Sequence, residues 1–211
     1  MTRRPVLAGV GGIAFSVLTI VALFLANPPG GTYKASDAAK YVRGGHHAAV
    51  FVSVYLVALA ILGLICLLAY LRDVALGGPE GARVRRIFWG TGLAAAACLA
   101  VGWGIAFGDA IAHAYGGKSV VVAPVLTYLV SEVGATIIWG PGGILLGIAL
   151  ITLMLGSRTT LPAWLRWSTL VAGLGGFASA AFFPSALLIL WGIAIGVWLL
   201  IARPAQVRSE A

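Results

Sequence analysis

The sequence predicts an all-α polytopic membrane protein: a transmembrane helical bundle of six spans, with a short outer surface helix and a broken or tilted fourth helical tract. Three observations predict it. Hydrophobic residues make up 61% of the 211 residues and charged residues 9%, with a mean hydropathy of +1.03. Apolar runs near the ~20 residues needed to cross about 30 Å of hydrocarbon recur along the chain. Strand-like alternation is absent from the sequence, which argues against a β-barrel, the other architecture that satisfies its backbone groups in lipid. No soluble domain interrupts these runs, so residues 1–211 read as a single integral membrane domain.

The first run, Val6 to Ala26, follows Arg3 and Arg4 as a signal peptide would. Its apolar stretch of about 21 residues exceeds a cleaved h-region, and Leu25-Ala26-Asn27-Pro28-Pro29 offers no small-x-small site, so it is expected to stay as a helix. The loop from Asn27 to His47 carries structure of its own. Pro28-Pro29-Gly30-Gly31 ends the first span, Ser36 and Asp37 supply a cap and a first-turn acid, and Gly44-Gly45 closes a short helix through Ala38, Ala39 and Val42. That helix is expected to lie on the outer surface, as a connector that covers helix ends or, alternatively, as a substrate lid.

The second and third spans run from Ala48 to Leu71 and from Phe88 to Ala112. Ala96, Ala100, Gly104, Gly108 and Ala112 form a stripe of small residues at every fourth position on the third, and Gly143/Gly147, Ala172/Gly176 and Gly192/Gly196 repeat the spacing later. Helices associate in lipid through close packing, so such stripes mark contact faces. Cys66 and Cys98 lie within spans at different depths, which suits apolar packing residues rather than a disulfide.

The apolar tract from Val120 to Leu155 would measure about 54 Å as one helix, far more than one crossing. Two crossings would break the charge pattern of the loops. Gly140-Pro141-Gly142-Gly143 supplies a break near 140–143 in the span 125–155. The tract therefore reads either as a segment Pro124 to Trp139 in the outer leaflet followed by a span, or as one tilted, kinked helix. The last stretch divides at Phe183-Pro184-Ser185 into spans Ala163 to Phe183 and Pro184 to Ala202, a tight hairpin.

Basic residues fix the orientation, because Lys and Arg are retained on the cytoplasmic side. Arg3, Arg4, Arg72, Arg83, Arg85, Arg86, Arg158, Arg166, Arg203 and Arg208 fall on one side; Lys34, Lys40, Arg43 and Lys118 fall on the other. Both termini are thus expected in the cytoplasm, with Trp89, Trp164, Trp167 and Trp198 at the inner interface. The net charge of +8 is spread over separate loops without a basic groove, so membrane lipids rather than nucleic acid are the expected partners.

Asp109, His113 and Glu132 are ionisable residues inside apolar stretches, and such residues mark sites because their desolvation demands a partner. Asp109 and His113 are one turn apart and can hydrogen-bond directly. Glu132 and the pair His46 and His47 are expected at a similar depth, so the five form either a candidate ligand pocket facing the outer leaflet, with Ser53, Tyr55, Thr127 and Ser131 as lining, or an interhelical polar clamp that fixes packing, with His46 and His47 solvated at a helix start. His46, His47, His113 and Asp109 are the candidate metal ligands, although no HxxxH, HExxH or CxxC spacing supports a metal. A bis-histidine haem site has no axial pattern to support it, and no cofactor is expected.

The first functional reading is a protein that binds or moves a small molecule or lipid through this pocket, with Asp109, His113 and Glu132 as a proton relay if it transports. The second is a non-catalytic accessory subunit of a larger membrane complex or a homo-oligomer. The third is a metal-dependent intramembrane hydrolase, in which Ser53 or Glu132 assists.

Through Leu161-Pro162-Ala163-Trp164-Leu165-Arg166 and the following glycine-rich hairpin, and more loosely through Ser36-Asp37-Ala38-Ala39, the chain resembles small bacterial six-span integral membrane proteins of unknown function. The resemblance implies a plasma (inner) membrane location and a layout, but transfers no functional residue. The abundance of Ala, Gly, Val and Arg also suits a GC-rich bacterial genome.

Overall fold

Long apolar runs without internal breakers become long helices, and the computed structural model of the chain is built from them. It describes residues 3–42, 46–76, 82–116, 123–157, 160–181 and 185–201. In order these form α1 (Arg3–Ala26), α2 (Ala35–Tyr41), α3 (His47–Val74), α4 (Ala82–Gly116), α5 (Pro124–Ile137), a π-helical turn (Ile138–Gly142), α6 (Gly143–Gly156), α7 (Ala163–Phe177), a 3₁₀ turn (Ser179–Ala181) and α8 (Ala186–Ile201). No strand occurs among the described residues. The helical bundle expected from the sequence is therefore present. Four helices are long and apolar enough to cross a membrane: Pro5–Ala26, His47–Val74, Ala82–Gly116 and Pro124–Gly156. With 15 and 16 residues, α7 and α8 are about 22–24 Å long, shorter than the hydrocarbon core.

The outer surfaces of the helices carry large apolar side chains such as Leu7, Phe24, Leu62, Val101 and Leu190, each more than half exposed. Apolar exposure on this scale suits lipid as the surrounding solvent. The interior relies instead on glycine contacts that bring backbones together. At Gly11 an added Cβ would lie 2.5 Å from the Gly63 carbonyl oxygen, which joins α1 to α3. Gly12 meets Gly192 between α1 and α8, Gly134 meets Ala106 between α5 and α4, and Gly147 meets Gly173 between α6 and α7. The later pairs 143/147, 172/176 and 192/196 accordingly lie on contact faces.

The stripe on α4 requires a correction. Ala96 is buried, but Ala100, Gly104 and Ala112 are exposed, and nothing stands within 4 Å of a Cβ built at Gly104 or Gly108. The face that packs contains Gly92, Leu99, Gly102, Trp103, Ala106 and Ala110. Small residues occupy both sides of this helix, so their spacing does not select one.

The long tract from Pro124 to Gly156 is one continuous helix of 33 residues, about 50 Å long, rather than a separate outer segment and a span. The expected break survives as the π-helical turn, with Pro141 inside it. Proline has no N–H to donate and its ring displaces the preceding turn, so the backbone widens there instead of stopping. Ser179 repairs part of the disruption by donating its hydroxyl to the Trp139 carbonyl. It occupies the space that a side chain at Gly143 would need.

Other boundaries shift modestly. Helix α4 begins six residues before Phe88 and ends beyond Ala112, while α7 stops at Phe177 instead of Phe183. The expected break at Phe183-Pro184, the closing Gly44-Gly45 and the loop residue Lys118 lie outside the described residues. Helix α2 forms where expected, with Asp37 in its first turn, but its N-cap position is Lys34. The Ser36 hydroxyl reaches Asp37 at 3.4 Å instead of capping the helix. Cys66 is exposed on α3 and Cys98 is half-buried, and both are free thiols.

Candidate functional site: a polar cleft beneath the α1–α2 loop

Proline at positions 28 and 29 stops α1, and Asn27 takes a left-handed conformation (φ 42°) that asparagine tolerates because its short polar side chain relieves the local clash. The loop then folds back over the helix ends and encloses a cleft of about 620 Å³. Asn27, Pro28, Pro29, Gly30 and Thr32 form one side. Lys34, Asp37, Lys40 and Tyr41 form the α2 side, with His46 and Tyr128 completing the walls.

Helix α5 holds the loop in place. The Gly31 N–H donates to Glu132 Oε1 at 2.7 Å, and the Tyr128 hydroxyl donates to the Gly31 carbonyl at 2.6 Å. Tyr128 and Glu132 are one turn apart on α5, so both reach the same residue. Gly31 has φ 71°, a backbone conformation in which other side chains are strained. The Tyr33 ring meets Tyr128 edge-on at 5.2 Å. Replacing Glu132 by alanine together with Tyr128 by phenylalanine is expected to free this loop. Amide hydrogen exchange across residues 27–34 should rise about tenfold or more, since each lost bond is worth about 1 kcal/mol or more. Parent-like exchange would show that the two bonds do not hold the loop.

The floor is Tyr41, 3% exposed, whose hydroxyl donates to the Ala106 carbonyl on α4 at 3.1 Å. Burial first, and then the nearby Asp109 carboxylate, raise its pKa well above the usual tyrosine range, so it remains a protonated donor at neutral pH. His46 packs against the Tyr41 ring at 5.5 Å. Its Nε2–H donates to the Ala26 carbonyl at 2.6 Å, and the His47 Nε2–H donates to the Val42 carbonyl at 3.0 Å. Ala26 ends α1 and Val42 caps α2, so each histidine satisfies a helix-end carbonyl that the helix itself leaves open.

Asp109 and His113 lie behind this floor, half-buried on the C-terminal part of α4. The His113 ring meets His47 edge-on at 5.7 Å. Asp109 Oδ2 and His113 Nδ1 are buried without hydrogen-bond partners, so the direct bond expected between the two residues is not made through these atoms. Thr127 Oγ1 on α5 is likewise buried and unpartnered.

The five sequence candidates therefore divide. His46 and Asp109 lie near Tyr41 and His47 meets His113, but of the five only His46 lines the cleft, while Glu132 is engaged with the loop. Of the expected lining, Tyr55 is 71% exposed and points away from the bundle. Ser53 is buried and donates to the carbonyls of Ala22 and Ala49, a link between α1 and α3. Among the described residues no three His, Cys, Asp or Glu side chains gather as a metal site would require.

The sequence reading missed the cleft walls themselves. Lys34 and Lys40 entered only the count of loop charges, and Asp37 only as a helix-starting acid. One signal was available: the charge pattern of the sequence assigns every lysine of the chain, Lys34, Lys40 and Lys118, to the side expected to face away from most of the arginines. Compared with family models, curated proteins and solved structures, the chain matches none of them.

Proposed function

We propose that the chain is a six-span bacterial inner-membrane protein, with both termini in the cytoplasm, that binds or moves a small molecule or lipid through an outward-facing polar cleft. The observation that carries this reading is the cleft itself. Its volume of about 620 Å³ lies within the roughly 300–1,000 Å³ of small-molecule sites, and its walls combine charged, hydroxyl and aromatic groups. In this reading α7 and α8 serve as short fifth and sixth spans. They pack against α6 and α1 through glycine contacts, and exposed Trp164 and Trp167 at the start of α7 suit an interface. Arg72 over the Trp89 ring at 4.7 Å suits the same inner interface.

A second reading, an accessory subunit or homo-oligomer, is favoured by the outward face of Ala100, Gly104, Gly108 and Ala112. Among the described residues nothing covers Gly104 or Gly108. Native mass spectrometry of the gently extracted protein separates the two. A stoichiometric small species retained by the parent and lost in Thr32→Trp, which narrows the cleft, supports the first reading. A bare chain bound only to protein supports the second and removes the first.

A further inference from the structure

We propose that the cleft takes an anionic ligand carrying a phosphate or phosphate-ester group, bound at its Lys34–Lys40 end. The inference rests on the small-molecule reading above and names the ligand chemistry.

Lys34 and Lys40 both line the cleft, and among the described residues neither makes an ion pair. Lysine ammonium groups are compact charges that bind phosphate well. On an outer face these charges have no topogenic role, since that role retains positive charge on the cytoplasmic side. Among the described acidic groups nearby, only Asp37 lines the cleft. Glu132 accepts the Gly31 N–H, and Asp37 accepts the Ser36 hydroxyl. The Asp109 carboxylate stands behind Tyr41 rather than in the cleft. With Lys34, Lys40 and Asp37 counted together the walls carry a net positive charge. Thr32 and Asn27 add neutral donors. A phosphate alone fills only part of about 620 Å³, so the rest of the ligand lies along Pro28, Pro29 and the Tyr128 ring.

The phosphate can belong to a soluble phosphoester or to a lipid headgroup, and two probes distinguish them. The full-length protein in an uncharged detergent is titrated with inorganic phosphate by calorimetry. It is also mixed with phosphatidylglycerol, or with an uncharged glycolipid, before native mass spectrometry. Saturable binding of inorganic phosphate supports a soluble phosphoester; retention of phosphatidylglycerol but not of the glycolipid, without phosphate binding, supports a lipid headgroup. In either case Lys34→Gln with Lys40→Gln should weaken binding about tenfold or more, because charge-assisted hydrogen bonds are lost, whereas Asp37→Asn should not weaken it. Both lysines are exposed, and each single variant provides the same test if the double variant fails to fold. Binding of neither probe by the parent, or equal binding by the lysine variants, overturns the proposal. If a neutral or cationic species sensitive to Thr32→Trp is nevertheless retained, only the phosphate assignment falls; if nothing is retained, the small-molecule reading falls with it.

Discussion

Replacing Gly11 by leucine is expected to force α1 away from α3 and to cost about 3 kcal/mol or more of stability. The Cβ of any residue at 11 would lie 2.5 Å from the Gly63 carbonyl oxygen, and a Cβ at Gly63 would lie 2.6 Å from the Gly11 carbonyl oxygen. The obstacle on both sides is backbone, so no rotamer change relieves it. Overpacking of an ordinary core costs about 1–3 kcal/mol, and a leucine against two helical backbones lies at or beyond the upper end. The effect is compounded in lipid, where helices gain little from apolar burial and depend on van der Waals contact. Gly104→Leu is the control: with nothing within 4 Å of its Cβ and better helix propensity, it should match or exceed the parent. Thermal unfolding in detergent measures both. Equal midpoints for the two variants would show that the α1–α3 contact does not limit stability.

Trp191→Ala is expected to be about as damaging, at about 3–5 kcal/mol, the range for removing a large buried aromatic side chain. Trp191 is 2% exposed, and its Nε1–H donates to Thr169 Oγ1 at 2.9 Å, joining α8 to α7. The Thr169 hydroxyl in turn donates to the Leu165 carbonyl, so its geometry is held from within α7. Trp191→Phe keeps most of the volume and loses one bond, which should cost only about 1 kcal/mol for the bond together with a modest packing loss. Unfolding of the purified protein across a detergent series orders the three proteins. Similar losses for Ala and Phe would make the hydrogen bond, not the ring volume, the main term.

Much of the fold was legible because hydropathy and helix punctuation act locally. The apolar runs located the long helices, and Pro28-Pro29 and the Gly140–Gly143 cluster marked real departures from α geometry. Whether Pro141 ends a helix or widens it depends on groups far away in sequence, such as Ser179, and so could not be read locally. The packing face of α4 was hidden for a related reason. Both 100/104/108 and 102/106/110 are small, and only the position of Gly134 across the seam selects the second set.

The candidate site was legible as a neighbourhood and not as a constellation. Ionisable residues in apolar runs pointed to one end of α3, α4 and α5, where His46 packs on Tyr41 and His47 meets His113, but of the five only His46 lines the cleft. Their partners are backbone carbonyls: His46 takes that of Ala26 and His47 that of Val42. A sequence lists side chains, and it does not show which helix ends need a donor. The cleft walls come from an ordinary polar loop whose residues acquire a role only once Glu132 and Tyr128 fold it over.

That attachment makes α5 a handle on the cleft. Two side chains one turn apart grip the N–H and C=O of a single residue, so a rolling or tilting of α5 cannot occur without dragging Gly31 along or breaking both bonds. Below them the π-helical turn at Ile138–Gly142 interrupts the regular hydrogen-bond ladder of the same 33-residue helix, and a helix bends most readily where its ladder is interrupted. The roof of the cleft and the inclination of the membrane helix are therefore one mechanical variable. An occupant that bound one position of this roof better than another would favour one inclination, and by linkage a membrane favouring that inclination would then bind it more tightly.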